Sequence, residues 1–498
     1  MELSAKTKIF CGCSTVFGAP VNTNVCPVCL AMPGSLPVLN KKVVEYAIAL
    51  GLALNCNISE KTVFDRKNYF YPDNPQNYQI SQLYSPIGKN GHIEIDCADN
   101  PQKTKKIRIH ELHMEEDAGK LIHRADSNDT LIDFNRAGVP LIEIVTEPDM
   151  RNAEEVLTFL KKLRTTIQYL GISDCRMNEG SMRVDVNLSV RPVKDEEQND
   201  LTPCGDKKAP QKMHYSSYEG DDFGAFGTRT EMKNLNSFRS IALAIESESE
   251  RQISLIESGN RVEQETRRWD DDKKCSFTMR SKEDAMDYRY FPDPDLPPFI
   301  ISQELIERIR AQKPEFREEK VIRYMREYSL SQDDAEAVTE YKSFADIFEK
   351  TVSFGADPKK CANRLMGDTI KLLKEKEVPP EELKLDAKSL AELIKITDAG
   401  TVNSTVSKEL FEKVFDAGGD SFDVGDYIEK NGLAQMSDTG ELEKIVKAVV
   451  DANPQSVADY RAGKKKAIGF LVGQMMKQTQ GKADPTLARQ LIEKEIGN

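Results

Sequence analysis

Four cysteines stand close enough together to hold a metal: Cys11 and Cys13, then Cys26 and Cys29, all within 19 residues. Two close pairs, the second with C-x2-C spacing, can wrap one Zn2+ tetrahedrally. The segment between them, Ser14 to Val25, carries Gly18, Pro20, Asn22 and Asn24, residue types that form the turns of a knuckle. With thiolate at all four positions no coordination site stays open, so this zinc is structural; the bland alternative is four reduced thiols. A second resource is carboxylate. Glu115, Glu116, Asp117, Glu143, Glu147, Glu179, Asp185 and Glu231 fall on predicted strands or strand ends. Hard oxygens projected from separate strands suit Mg2+, which takes one or two carboxylates plus substrate phosphates. A solvated acidic rim is the alternative, weakened because Glu143 and Asp185 lie inside strands, where a lone carboxylate is costly.

A third cluster mixes aromatic and basic residues over Phe64–Pro75 and Tyr78–Gln82. Tyr69, Phe70, Tyr71 and Tyr78 beside Arg66 and Lys67 suit base stacking and phosphate binding, or equally packing under a domain edge. Lys464, Lys465 and Lys466 open a small helix and suit phosphate contact, although three lysines are also an ordinary solvated helix end. Other chemistries are excluded. Asp117-Ala-Gly-Lys120 lacks the first Gly and the hydroxyl of a P-loop, and no G-x-G-x-x-G is present. His110-Glu-Leu-His113 is one residue short of a zincin motif, and on a strand its imidazoles face opposite ways. No Gly-x-Ser-x-Gly elbow occurs, which argues against hydrolysis by this chain alone.

The elements that position these residues follow from periodicity. Ser181–Val190 alternates Met182, Val184, Val186, Leu188 and Val190 against Arg183, Asp185, Asn187 and Ser189. Ile107–Met114 alternates through Ile107 and Ile109 into Glu115-Glu116-Asp117, and Leu141–Val145 sets Glu143 in an apolar strand. Thr228–Leu235 places Arg229, Glu231 and Lys233 on one face. Helices are predicted over Ala153–Leu170, capped by Asn152 and Glu155 and stopped by Gly171, and over Ser237–Ser258 before Gly259. Past the Pro-rich Asp293–Pro298 the chain reads as helix after helix, with small amphipathic ones at Leu442–Asp451, Ser456–Arg461, Ala467–Lys477 and Pro485–Ile496. The class is α+β: a mixed or antiparallel sheet followed by a helical half. Three domains are expected, 1–295, 296–402 and 403–498, with 193–222 a polar surface insertion.

The 498 residues carry 69 Lys+Arg against 82 Asp+Glu, a net charge of −13, with 39% hydrophobic content. That is enough apolar material for a core, and the acidic total argues against a general nucleic-acid coat protein but not against one local basic surface. No apolar run approaches the ~20 residues of a membrane span, and the N-terminus has no apolar signal core, so a cytoplasmic protein is expected. In that compartment the six scattered cysteines, Cys56, Cys97, Cys175, Cys204, Cys275 and Cys361, read as thiols.

Several long segments, in order, resemble the B-subunit family of aspartyl/glutamyl-tRNA amidotransferases. They are Phe64-Asp-Arg-Lys-Asn-Tyr-Phe-Tyr-Pro-Asp73, His113-Met-Glu-Glu-Asp-Ala-Gly-Lys120, Asn135–Asp149, Arg183-Val-Asp-Val-Asn187, Glu231-Met-Lys-Asn-Leu-Asn-Ser-Phe238, Glu265-Thr-Arg-Arg-Trp-Asp270 and Asp287–Asp295. The tail, with Gly469-Phe-Leu-Val-Gly-Gln-Met-Met476, is similar to the small YqeY proteins. The resemblance implies a cradle-shaped catalytic domain, a helical domain and a tail that grips tRNA. It implies ATP- and Mg2+-dependent phosphorylation of the side-chain carboxylate of mischarged Glu-tRNA(Gln) or Asp-tRNA(Asn), then amidation. Ammonia would come from a separate amidase (glutaminase) subunit, with a small third subunit completing a heterotrimer. By motif position Glu116, Glu143 and Asp185 are carried over as metal or phosphate-site carboxylates, with Arg66, Lys67, Tyr69, Tyr71, Lys233 and Lys464–Lys466 toward nucleotide and tRNA. The family's first strand reads roughly Gly-Leu-Glu-Val-His-Val-Glu-Leu, and Met1-Glu2-Leu3 resembles only its end. Its metal-binding Glu and His lack counterparts, which predicts a natural product starting some ten or more residues earlier. The rival reading from another class is a non-catalytic tRNA-binding scaffold.

Overall fold

The computed structural model describes residues 1–97, 100–124, 126–191, 226–281, 287–435, 439–464, 466–479 and 483–497. The predicted insertion at 193–222 lies outside them, as do Cys204 and Lys465. The chain forms two compact units, Met1–Phe316 and Arg317–Asn498.

In the first unit, helix α1 (Lys41–Ala53) is followed by nine strands: β1 (Asn57–Ile58), β2 (Lys61–Thr62), β3 (Asp65–Asn68), β4 (Tyr78–Ser81), β5 (Gly88–Cys97), β6 (Asn100–Glu116), β7 (Lys120–His123), β8 (Thr130–Asp133) and β9 (Pro140–Thr146). Helix α2 (Ala153–Leu170) and β10 (Val186–Leu188) follow, then β11 (Thr230–Lys233), α3 (Phe238–Glu257), β12 (Glu265–Asp270), β13 (Cys275–Ser281), β14 (Phe291–Pro292), β15 (Phe299–Ile300) and α4 (Gln303–Ala311). One four-stranded sheet has order β1-β5-β6-β9 and is antiparallel; a second, β10-β11-β12-β13, contains one parallel pair, β11 with β12, and smaller sheets join β14-β3-β4, β15-β2 and β7-β8. A parallel pair needs a crossover, and α3 supplies it. Helix α2 begins where Asn152 Oδ1 accepts from Glu155 N at 2.8 Å and ends on Gly171 at φ 67°.

Strand β6 does not alternate uniformly. Ile107 and Ile109 are buried before His110, Leu112 and Met114 after it, and the pairing with β9 is irregular between Ile109 and Glu111. Such a bulge inverts which face each later side chain takes. The strand predicted over Ser181–Val190 forms only at Val186–Leu188, so Asp185 sits just before it.

The first unit continues past the Pro-rich stretch. Leu296, Ile301, Ile306 and Ile309 are buried in its core, β15 pairs with β2, and Arg308 Nη2 meets Glu45 Oε1 at 2.9 Å. Composition marked the helical half at 296, but these apolar anchors carry the unit to Phe316. The second unit is helical around two cores, one drawn from Tyr324 to Ile428 and one from Leu442 to Ile496. Val402, Leu410, Phe411 and Val414 belong to the former, so the cores divide after Leu433 and not at residue 403. Among the described residues no helix is long and apolar enough to cross a membrane. Cys56, Cys175 and Cys361 are buried free thiols and Cys275 a half-buried one, whereas Cys97 is disulfide-bonded, against the expectation of a thiol.

Candidate active site and four-cysteine cluster

Strands β6 and β9 build the site. Their register sets His113 opposite Glu143, and Glu115 lies two residues along the same face of β6. Ligand atoms of His113, Glu115 and Glu143 all lie within 4.8 Å of one another, with His113 Nε2 3.4 Å from Glu143 Oε2. His113 and Glu115 are buried, while Glu143 is half exposed toward a cavity of about 460 Å³. Burial works against a charged His113, but the Glu111 and Glu143 carboxylates outweigh it and lift the imidazole to about 10. His113 in turn holds Glu143 down to about 2, and burial raises Glu115, helped by the charge of Glu143. His113 and Glu143 neutralise one another in this arrangement, and a divalent ion taking the imidazole nitrogen and the two carboxylates would displace the imidazole proton.

Glu116 is not part of this group. It faces the other way, where Oε1 accepts from Gln76 Nε2 at 2.8 Å and Ile80 N at 3.0 Å. Of the three carboxylates carried over by motif position, the structure sets Glu116 apart from Glu143: the bulge turns it to the side of Leu112 and Met114. Asp185 lines the same cavity as Glu143 but pairs with Lys233 Nζ at 2.7 Å, and Glu231 takes that ammonium at 2.9 Å. His113 and Glu115, which motif position did not point to, come to face Glu143 through that same bulge.

Burial pushes the Glu116 carboxyl up from 4.5 to about 8. The folded chain therefore keeps this proton over a range where the unfolded chain has lost it, and the group increasingly opposes folding as pH rises from about 4.5 through 8. Glu116→Gln removes that penalty. Its stability relative to the parent should improve between pH 5.5 and 8 by up to a few kcal/mol, read as urea midpoints at the two values. Parallel pH profiles would show that Glu116 is already ionised in the fold.

The aromatic and basic cluster is split between structural work and the cavity side. Arg66 is committed: Nε donates to Asp293 Oδ2 and Nη2 to Asp295 Oδ2, both at 2.8 Å, and its guanidinium lies 4.2 Å from the Tyr78 ring centroid. It fastens β3 to the 293–295 turn and is no open phosphate ligand. Lys67 lies over the Tyr288 ring at 5.0 Å and its charge is felt by both Glu115 and Glu143. Tyr69 is half-buried and packs edge-on against Tyr288, whereas Phe70 and Tyr71 are exposed. In the second unit Lys464 Nζ pairs with Asp459 at 3.0 Å, and Lys466 is exposed at the start of the helix Ala467–Gln478.

Cys11, Cys13, Cys26 and Cys29 converge, their sulfurs all within 4.8 Å of one another. Four sulfurs at that spacing fit a tetrahedral thiolate site. Cys29, the buried one, is held down to about 4 by a hydrogen bond from Cys11, the Cys26 N–H and the charge of Lys8. The cluster adjoins the end of β6 through Gly138: Ile9 N donates to Gly138 O, and Gly138 N to Asp117 O, one residue past the strand. Gly138 has φ 83°, which only glycine adopts without strain, and a Cβ there would already touch Lys8 and Cys29.

With this geometry in view, the comparisons with known proteins are direct. A family model described as the GatB/GatE catalytic domain matches residues 1–205 and 216–307, and one described as the GatB domain matches 346–496. The chain is 56% identical, over 99% of its length and 96% of the relative's, to the B subunit of the aspartyl/glutamyl-tRNA(Asn/Gln) amidotransferase of Agathobacter rectalis. The proteins of that name from Lachnospira eligens and Caldicellulosiruptor bescii are 54% and 49% identical over 99% of the chain, and 96% and 97% of their own lengths are covered. Both domains of the match, and the order of segments read from the sequence, agree: the chain belongs to the family of B subunits of the tRNA-dependent aspartyl/glutamyl amidotransferases.

Proposed function

We propose that the first unit activates the side-chain carboxylate of Glu esterified to tRNA(Gln), or of Asp esterified to tRNA(Asn), for amidation. A carboxylate oxygen attacks the γ-phosphorus of ATP and ADP leaves; ammonia then attacks the acyl carbon and inorganic phosphate leaves, with the amide in place. A free carboxylate is a poor acyl donor, and phosphorylation gives it a leaving group. The observation that carries this reading is the His113–Glu115–Glu143 group, whose two carboxylates line a large cavity. These three side chains would hold Mg2+, whose charge would offset that of the transferring phosphoryl group. Lys67 beside them suits the phosphates, and Lys233, now paired with Asp185 and Glu231 at the cavity's edge, would reach a phosphate by exchanging one of those partners. Tyr69 and the exposed Tyr71 suit the nucleotide or the tRNA end. The four cysteines hold one structural Zn2+. Ammonia reaches the site from a separate amidase (glutaminase) subunit, with a small third subunit completing a cytoplasmic heterotrimer, and Lys464, Lys465 and Lys466 touch tRNA phosphates.

The test is ADP release and acyl phosphate formation by the assembled complex, with ATP and mischarged tRNA. Both should require the mischarged species. Deleting 439–498 should weaken tRNA binding at least about tenfold and flatten its salt dependence while leaving the complex assembled. The deletion starts at 439 because one at 403 would cut through the core that holds Leu410 and Phe411. If no phosphorylated intermediate forms while tRNA still binds, the chain is a scaffold and not the activating component.

A further inference from the structure

Lys8 is wholly buried, an uncommon position for a lysine. Its ammonium donates to Cys29 Sγ at 3.5 Å and to Phe134 O at 3.3 Å. Its backbone N donates to Cys13 O at 2.9 Å, so one residue holds the first cysteine pair by its main chain and the second by its side chain. A desolvated ammonium costs several kcal/mol unless a charge or strong acceptors compensate it. The polar atoms beside it are one carbonyl oxygen and the Cys29 sulfur, so the charge that compensates the ammonium has to come from the cysteine cluster.

Four thiolates around Zn2+ leave a net charge of −2, partly buried against the same wall. We propose that Lys8 is a positioning residue of this cluster: its ammonium neutralises part of the tetrathiolate's charge and hydrogen-bonds Cys29, lowering that sulfur's nucleophilicity and slowing metal loss. The inference rests on the zinc reading above and adds a residue outside the ligand set to it. Outer partners of this kind commonly change metal affinity about 10–100-fold.

The test uses the full chain loaded with zinc, and separately with Co2+. The parent protein should bind one metal per chain; failure of that step overturns the zinc reading itself and this inference with it. Lys8→Met should still bind one metal but release zinc to the chromogenic chelator 4-(2-pyridylazo)resorcinol about tenfold faster or more. Its cysteines should be alkylated faster by iodoacetamide, and the thiolate-to-cobalt charge-transfer band should move. Lys8→Arg should restore the release rate and the band. A lysine that only filled space would alter thermal stability and leave the band in place, so an unmoved band with parental zinc release overturns the proposal. Should Lys8→Met not fold, Lys8→Gln keeps an N–H donor without charge; parental release from that variant overturns it equally.

Discussion

Glu143→Gln is expected to slow acyl phosphate formation roughly a thousandfold, about 4 kcal/mol in the barrier. The substitution keeps the shape and removes the charge opposite His113, whose Nε2 lies 3.4 Å from Glu143 Oε2. It leaves Glu115 as the one carboxylate of the trio, and burial already favours the protonated form of that residue. The apparent Mg2+ requirement should therefore rise along with the loss in rate, and added Mg2+ should recover part of the activity. Binding of tRNA, dominated by remote phosphate contacts, should stay within about twofold. Quench-flow with labelled ATP and mischarged tRNA, across a Mg2+ titration, reads all three quantities. An unchanged Mg2+ requirement at near-parental rate would remove the trio from the metal site.

The second large effect belongs to the cysteine cluster. Cys26→Ser combined with Cys29→Ser should abolish zinc binding, measured as about one zinc per chain in the parent and none in the variant. The loop between the pairs has little apolar anchorage of its own: Val16, Phe17 and Val21 are 69%, 69% and 56% exposed. What ties it down besides the sulfurs is polar, with Asn22 Nδ2 donating to Ile132 O at 3.0 Å and Asn135 Nδ2 to Pro20 O at 2.7 Å. Such surface bonds are worth about 1 kcal/mol each, against several for a structural zinc. Loss of metal should lower the unfolding midpoint of the first unit by roughly 10 °C and open the chain to protease between Cys13 and Cys26. Parental protease resistance in the double variant would show that the polar bonds suffice.

Much of this was written in the sequence, and the failures have identifiable causes. Helix α2 was legible to the residue because its cap and stop are local: Asn152 and Gly171 act within one turn of the helix. The cysteine cluster was legible because its geometry is fixed by short spacings. Glu143 was legible as a carboxylate in an apolar strand. Motif position points to Glu116, and alternation does not redirect it to Glu115: Ile107 and Ile109 set a rhythm that the bulge near His110 inverts, and no residue type in that segment announces the inversion. The pairing of Asp185 with Lys233 joins strands far apart in sequence, which single-strand periodicity does not reveal. Strands of two residues, such as β14 and β15, have no period to detect, so the first unit's true end beyond residue 295 was hidden as well.

The pairing of β15 with β2 and of β14 with β3 has a consequence for how the chain is made. Thr62 meets Phe299, and Arg66 meets Phe291. On a ribosome adding about 5–20 residues per second, the early strands wait roughly 10–50 s for their partners to emerge. Until then β2 and the outer edge of β3 present open hydrogen-bonding groups, with Phe64, later fully enclosed between Phe10 and Phe299, uncovered on one side. Folding of the first unit is thus completed by its last strands. A slowly translated stretch ahead of residue 291 would lengthen the interval over which these edges stay open.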